Sequence, residues 1–147
     1  MGDDLNEIQF AGFRVGETCY AVDIMRIREV IPPQPIAPLR FSSRLYDGFI
    51  AIRGSVAPVI DLRGRFSISG PEDYGPAVKF VVVACAGHLL ALVVDDATGI
   101  ITVPVNAIRQ PADTNVAGMV DHLLGAVLAD DILYLLLDID SFPAVSP

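Results

Sequence analysis

Residues 48–62 read GFIAIRGSVAPVIDL and carry the clearest fold signal in the chain. Apolar and β-branched residues fill both ends of the stretch, and Gly54-Ser55 stands between them. Two short apolar runs around a small-residue turn are typical of a β-hairpin. The stretch therefore predicts strands at 48–53 and 56–62, joined by a turn at Gly54-Ser55.

Similar strand signals lie on both sides of this hairpin. Residues 8–15 and 18–22 predict another hairpin, and residues 24–31 predict one helical turn that leads into a strand. The four prolines between residues 32 and 38 predict a loop, because each removes a backbone donor and fixes φ. Further strands are predicted at 77–86, 89–94, 100–103, 123–128 and 132–139, with a turn at Gly87-His88, a short connection at 95–98 and a loop at 67–76. No amphipathic helix of three turns or more is visible in the sequence, so we predict an all-β fold.

Two spacings recur in the two halves of the chain and predict an internal duplication. An aspartate stands nine residues before a proline in each half, and a glycine stands 13 residues before an aspartate. The pairs are Asp23 and Pro32, Asp95 and Pro104, Gly48 and Asp61, and Gly125 and Asp138. Each half then supplies about five short strands, which suits a small closed barrel. A half of this size is marginal alone, so we expect the two barrels to pack together as one cooperative unit.

Composition excludes several classes of partner. The formal net charge is −8, and 52% of the residues are hydrophobic. That balance indicates a folded core rather than disorder. The acidic excess argues against a nucleic-acid binder, which needs a positive field to displace phosphate counterions, and equally against binding to an anionic membrane surface. The apolar run over 80–94 is shorter than the roughly 20 residues of a membrane span, so no membrane insertion is predicted and two buried strands explain the run better.

No motif for catalysis, nucleotide binding or metal binding stands out. His88 and His122 lie at unrelated spacings from Cys19 and Cys85, so they predict no zinc site. Adjacent acidic pairs such as Asp130-Asp131 suit turns better than the alternating ligands of a calcium loop. We therefore predict no metal, no cofactor and no enzymatic activity, with both cysteines as free thiols.

The chain resembles the CheW family of bacterial chemotaxis coupling proteins, from about residue 9 to residue 142 and most specifically over 48–62. The stretches that carry the resemblance are Phe13-Arg14-Val15-Gly16, Tyr20-Ala21-Val22-Asp23-Ile24, Ile27-Arg28-Glu29-Val30-Ile31, Gly48-Phe49-Ile50-Ala51-Ile52-Arg53-Gly54, Val56-Ala57-Pro58-Val59-Ile60-Asp61-Leu62-Arg63, Val94-Asp95, Gly125 and Leu137-Asp138. The resemblance implies two tandem, intimately packed five-stranded SH3-like barrels with little helix. It also implies a single CheW-like domain over 1–147, with subdomains at about 9–66 and 77–140 and with an exchange of strands between the barrels left open.

The resemblance also implies a function. The family is one of non-catalytic adaptors that couple the cytoplasmic tip of chemoreceptors to the regulatory domain of the histidine kinase CheA. By motif matching, Ile27, Glu29, Gly48 and Arg53 fall where the family contacts the receptor or depends on that surface. The kinase surfaces lie at barrel ends, and no residue of this chain is assigned to them. The implied localisation is cytoplasmic, with recruitment to membrane-associated receptor arrays.

Other interpretations stay open at the level of the sequence. From composition alone, Glu29 and Arg53 are more simply explained as charges that pair with each other or with solvent. The family usually has Asn-Leu-Arg-Gly where this chain has Ala51-Ile52-Arg53-Gly54, so the amide that would orient Arg53 is missing. That departure leaves open an interaction module of another chemosensory system, such as one for type IV pili. A small-ligand-binding β-barrel is a further alternative, and it requires an enclosed pocket with convergent polar groups.

Overall fold

The computed structural model describes residues 6–38, 46–62, 77–110 and 122–144. These residues form ten β-strands and three single turns of 3₁₀-helix. The strands are β1 (Glu7–Val15), β2 (Thr18–Asp23), β3 (Ile27–Ile31), β4 (Gly48–Ile52), β5 (Ser55–Asp61), β6 (Lys79–Cys85), β7 (His88–Val94), β8 (Asp96–Pro104), β9 (Leu123–Ala129) and β10 (Ile132–Leu137). The 3₁₀ turns are Ile24–Arg26, Val105–Ala107 and Ile139–Ser141. In this part of the chain, no helix has the length and apolar character needed to cross a bilayer.

The strands form two five-stranded barrels. Barrel 1 has the strand order β8-β1-β2-β10-β9, and barrel 2 has the order β3-β6-β7-β5-β4. Neighbouring strands are antiparallel except for one parallel pair in each barrel, β10 with β2 and β5 with β7. The prediction of an all-β fold with two five-stranded SH3-like barrels is confirmed. Each barrel takes strands from both halves of the chain, since β1 and β2 pair with strands of the second half.

The internal duplication is confirmed by the matching strand orders. Position by position, β3, β6, β7, β5 and β4 of barrel 2 correspond to β8, β1, β2, β10 and β9 of barrel 1. The registers agree as well, because Gly48 pairs with Val59 just as Gly125 pairs with Leu136. A residue of one barrel can therefore be compared directly with its counterpart in the other.

Some boundaries differ from the sequence predictions. Cys85 pairs with His88, so the β6–β7 turn is Ala86-Gly87 rather than Gly87-His88. The reason is the backbone of Gly87, whose φ of 86° supplies the turn. β8 begins at Asp96, within the predicted connection at 95–98, because its first residues pair with the end of β1. The predicted loop at 67–76 lies outside the described residues.

Three apolar clusters fill the molecule. One consists of barrel 1 residues, another of barrel 2 residues, and the largest contains residues of both barrels. Along β6 the clusters alternate: Val81 and Val83 belong to the shared cluster, and Phe80 and Val82 belong to that of barrel 2. Because both faces are buried, β6 and β7 lack the alternation of a half-exposed strand. This confirms that the apolar run over 80–94 consists of two buried strands.

A polar clamp connects the end of barrel 1 to barrel 2. Arg26 donates hydrogen bonds to both carboxylate oxygens of Asp140, at 2.8 and 2.6 Å, and another to the Ala84 carbonyl. The backbone N–H of Ala86, in the β6–β7 turn, also donates to Asp140. These hydrogen bonds, chiefly those from Arg26, lower the pKa of Asp140 below its ordinary value. The clamp therefore joins the 3₁₀ turn of Arg26 and the β6–β7 turn to the carboxylate of Asp140.

Candidate protein-binding site

Arg53 occupies the first position of the β4–β5 turn. Ile52 pairs with Ser55, so the turn is Arg53-Gly54, one residue earlier than the sequence predicted. Both turn residues have positive φ, 48° for Arg53 and 81° for Gly54. This is the signature of the type I′ turn, whose backbone matches the twist of the flanking strands. The turn places Arg53 at the tip of the hairpin, where its side chain is 80% exposed.

Glu29 on β3 fixes the direction of the Arg53 side chain. Arg53 Nε donates to Glu29 Oε2 at 2.5 Å, and Arg53 Nη2 donates to Oε1 at 3.1 Å. Two parallel hydrogen bonds of this kind set the plane of the guanidinium as well as its position. The third nitrogen, Nη1, makes no hydrogen bond to the described residues. Its N–H groups are therefore free to donate to a partner.

The same contacts close barrel 2. β3 and β4 are the two edge strands of this barrel, and no strand ladder joins them within the described ranges. Besides the ion pair, Gln34 Nε2 donates to the Ala51 carbonyl at 3.0 Å. Side chains and an isolated backbone bridge between Ala37 and Phe49, rather than a strand ladder, thus link the two edges. Position 51 therefore supplies no side-chain amide, and the amide that reaches it is that of Gln34, bonded to its backbone.

Each member of the ion pair stabilises the charged form of the other. Hydrogen bonds from Arg53 lower the pKa of the Glu29 carboxyl below its ordinary value, and Glu29 raises the pKa of Arg53. Both groups are in contact with water, and exposed ion pairs contribute little to stability. The arrangement is better suited to recognition: it presents a charged, oriented donor that can bind a carboxylate or a carbonyl of another protein.

The four residues predicted to bind the receptor have different environments. Glu29 and Arg53 pair with each other, as composition alone favours. Ile27 is half-buried and packs against the core shared by the barrels. Gly48 is buried at the other end of β4 from Arg53, where a Cβ would lie 2.3 Å from the Ala37 carbonyl oxygen. Only the ion pair therefore offers exposed chemistry, and receptor binding by all four residues stays a prediction.

Several exposed aliphatic residues on barrel 1 were not predicted from the sequence. They are Ile100 on β8, Leu124 and Leu128 on β9, and Ile132 and Leu133 on β10. A signal was available, because β9 and β10 are apolar at nearly every position. A sheet with one solvated face alternates apolar and polar residues, so this excess of apolar residues indicates a contact surface.

The described part of the chain offers no group of three or more His, Cys, Asp or Glu residues that could hold a metal ion. Cys19 and Cys85 are both free. Burial raises the pKa of the Cys85 thiol to about 11, so this residue is a thiol rather than a reactive thiolate at neutral pH.

Comparisons with known proteins agree with this geometry. The model of the CheW-like domain matches residues 9–144. The chain is 27% identical to "Chemotaxis protein CheW" of Rhizobium meliloti over 139 residues, which cover 92% of this chain and 88% of that protein. It is 28% identical to "Chemotaxis protein CheW" of Thermotoga maritima over 141 residues, 95% of this chain and 90% of that one. The crystal structure of the scaffolding protein TtCheW from Thermoanaerobacter tengcongensis is similar with a TM-score of 0.75 and 25% identity, covering 88% of each chain. On the match across residues 9–144, the chain belongs to the CheW-like domain family.

Proposed function

We propose that this chain is a non-catalytic adaptor of the cytoplasm that couples chemoreceptors to the histidine kinase CheA. The observation that carries the proposal is the CheW-like match across residues 9–144. The named relatives are chemotaxis proteins, and the similar solved structure is that of a scaffolding protein. The proposed partners are the cytoplasmic tip of a chemoreceptor and the regulatory domain of CheA, met at membrane-associated arrays.

An adaptor of this kind works by differential binding. It shifts the kinase between active and inactive states only if its contacts differ in free energy between the two geometries. Single contacts can be modest, because repeated interfaces in an array raise the effective concentration of each neighbour. The core shared by both barrels supports this role. Because the barrels pack on one another, a shift of one barrel at a binding contact would also displace the other.

We place the receptor contact on the face of barrel 2 that carries Glu29 and Arg53. Arg53 is exposed at the hairpin tip, and Glu29 holds its guanidinium in one direction. A side chain that is already ordered loses less conformational entropy on binding. Ile27 packs on the shared core beneath this face, and Gly48 allows β4 to approach Ala37 closely. Both residues therefore have a structural role in positioning the face.

The test is co-sedimentation of the full chain with the receptor tip and with the CheA regulatory domain from the same organism. We expect Arg53→Glu and Glu29→Arg each to weaken receptor binding at least about tenfold, in line with the loss of a charged contact, with the fold and kinase binding unchanged. Arg28→Glu is the matched control, because it reverses an exposed charge on the same strand and leaves the pair intact. Normal receptor binding by both single variants would refute the site.

The double variant Glu29→Arg with Arg53→Glu separates two roles of the pair. It restores an ion pair across β3 and β4 but removes the cation from the hairpin tip. If the receptor needs Arg53 itself, the double variant stays defective. Recovery of binding would show that the receptor requires only a closed barrel, and that Arg53 makes no direct contact.

The alternatives receive less support from the structure. A small-ligand barrel needs an enclosed pocket, and aliphatic and aromatic side chains of the described residues pack inside both barrels. An interaction module of another chemosensory system, such as one for type IV pili, would use the same surfaces. Neighbouring genes, and the receptor tip that binds in the assay above, would separate that role from chemotaxis.

A further inference from the structure

The duplication allows the same place to be compared in the two barrels. The seam of a barrel is the gap between its two edge strands, β3 and β4 in barrel 2 and β8 and β9 in barrel 1. The seam of barrel 2 is closed by the Glu29–Arg53 ion pair and by the hydrogen bond from Gln34 to the Ala51 carbonyl. Its own side chains fill the position where a partner could otherwise insert.

The seam of barrel 1 has lost these closing groups. Pro32 and Pro104 mark the ends of equivalent strands, so Ile101 stands where barrel 2 has Glu29 and Asn106 stands where it has Gln34. The turns Arg53-Gly54 and Asp130-Asp131 are equivalent, so Asp130 replaces Arg53 and Leu128 replaces Ala51. Neither a strand ladder nor a side-chain hydrogen bond joins β8 to β9 across these described residues.

An open cleft results, with a lining that is more polar than apolar and with aliphatic side chains at its rim. It has a volume of about 300 Å³ and is lined by residues 100–104 of β8 and by Leu128, Ala129 and Asp130. Ile100 and Leu128 stand at its rim and are 58% and 65% exposed. This volume is at the lower end of the roughly 300–1,000 Å³ of small-molecule pockets. The exposed aliphatic residues beside it extend the apolar surface over the β9–β10 hairpin, which favours a protein rather than a small molecule as the occupant.

The charges around the cleft indicate the chemistry of that occupant. Asp130 and Asp131 have φ values of 51° and 65°, which place both carboxylates at the hairpin tip. Among the described residues that line the cleft, none is a lysine or an arginine. In barrel 2, the equivalent place holds a guanidinium against a carboxylate. Barrel 1 offers the carboxylate and lacks the cation. Apart from a bridge between Arg109 and Ala126, no described backbone pairs with the facing edges of β8 and β9, so these edges can receive an extended segment.

We infer that the seam of barrel 1 docks an extended segment of a partner protein, in which an aliphatic side chain packs on Ile100 and Leu128 at the rim of the cleft and a neighbouring arginine or lysine pairs with Asp130. This site is distinct from the face of barrel 2 that carries Glu29 and Arg53, and it does not depend on the proposed receptor contact.

The experiment is an NMR titration of the full, isotope-labelled chain with capped peptides at about 0.15 M salt. The basic probe is Val-Arg-Val-Arg-Val, and the acidic control is Val-Glu-Val-Glu-Val. We expect the basic peptide to shift the amide signals of residues 100–104 and 128–131, with an affinity at least about tenfold higher than that of the acidic peptide. Asp130→Asn keeps a residue that tolerates positive φ and should weaken binding several-fold, as should Leu128→Ser.

Arg53→Asn is the matched control, because it makes the equivalent change in the seam of barrel 2 and should leave the peptide-induced shifts of residues 100–104 and 128–131 unchanged. The inference fails if millimolar basic peptide shifts no signal of the cleft, or if the two peptides bind equally. It also fails if Glu17 and Asp96 shift as strongly as the cleft, which would indicate general attraction to an acidic chain. Shifts of the cleft on raising the protein concentration alone would make a second copy the occupant and overturn the inference.

Discussion

Arg53 has a backbone conformation that other residue types adopt at a lower energetic cost. Its φ of 48° lies in the left-handed region, which costs roughly 1–2 kcal/mol for a residue with a side chain. Asn, Asp and Gly adopt this region more readily, and Asp130 occupies the equivalent turn of barrel 1 with a φ of 51°. A long side chain in a strained conformation at an exposed tip is typical of a residue that serves binding rather than the fold.

Replacing Arg53 by Asn should therefore preserve or improve the fold. We expect the free energy of unfolding of Arg53→Asn to stay level or rise by up to about 1 kcal/mol, because the turn is relieved of strain. Asp130→Asn is the matched change in barrel 1 and should have almost no effect, since Asp already tolerates this turn. Urea unfolding followed by circular dichroism measures both. A clear loss of stability in Arg53→Asn would show that the ion pair outweighs the strain.

The pH dependence of Glu29 reports the ion pair directly. Arg53 lowers the pKa of Glu29 from its ordinary value of 4.5, so the pairing stabilises the fold above that value and is lost as the pH falls through the lowered pKa. In Arg53→Gln, we expect the carboxyl of Glu29 to titrate near 4.5 again when followed by NMR.

Asp140 serves as the internal control for this titration. Arg26 is the main cause that lowers its pKa from an ordinary value of 3.8, so that shift should persist in Arg53→Gln and shrink in Arg26→Gln. If the titration of Glu29 is the same with and without Arg53, the two side chains are not paired in solution.

At the scale of the element, local patterns predict strands well and their ends less well. The hairpins follow from apolar runs around small-residue turns, but two turns were predicted one residue late because an arginine and an alanine give no sign of a turn. The sorting of strands into barrels depends on the parallel pairs β2–β10 and β5–β7, which join segments far apart in the chain. Likewise, Glu29 and Arg53 meet across a barrel seam, which no local pattern encodes; composition offered their pairing only as one of two simple explanations, beside exposure to solvent.

Gly48 and Gly125 each stand 13 residues before an aspartate. The sequence shows this spacing, and the structure shows why glycine is needed at both positions. Each begins or lies within an edge strand, at the point where a preceding segment makes an isolated bridge to that strand, Ala37 to Phe49 and Arg109 to Ala126. A Cβ on Gly125 would lie 2.2 Å from the Arg109 carbonyl oxygen, as one on Gly48 would meet that of Ala37. The repeat thus conserves a close approach of backbone to backbone.

Adding a methyl group at either glycine should loosen the corresponding barrel. We expect Gly48→Ala and Gly125→Ala each to lower the free energy of unfolding by about 1–3 kcal/mol, the usual range for overpacking. Gly12→Ala should cost a similar amount, because its Cβ would lie 2.5 Å from the Thr98 hydroxyl oxygen and 2.8 Å from a ring carbon of the buried Tyr134. Denaturant titrations compare the three. A harmless Gly48→Ala that still loses the receptor would instead place Gly48 in the binding surface.

Across the whole molecule, the two barrels are joined by apolar packing and by one carboxylate. The shared cluster contains buried residues of both barrels, among them Tyr20 and Val22 of barrel 1 and Leu90 and Leu92 of barrel 2. Asp140 adds the clamp to Arg26 and to the β6–β7 turn. A small barrel alone is marginal, and burial of a common core couples the stability of each barrel to that of the other.

This coupling can be tested with two adjacent, fully buried residues of β7. Leu92 belongs to the shared cluster and Val93 to the cluster of barrel 2. We expect Leu92→Ala to lower the free energy of unfolding by about 2–5 kcal/mol, and native-state hydrogen exchange to show the loss in both barrels. Val93→Ala decides the question, because the change lies wholly within barrel 2. If the chain unfolds as one unit, the slowest amides of β2 and β10 in barrel 1 lose as much protection as those of β7; if barrel 1 keeps its protection, the barrels unfold separately despite the core they share.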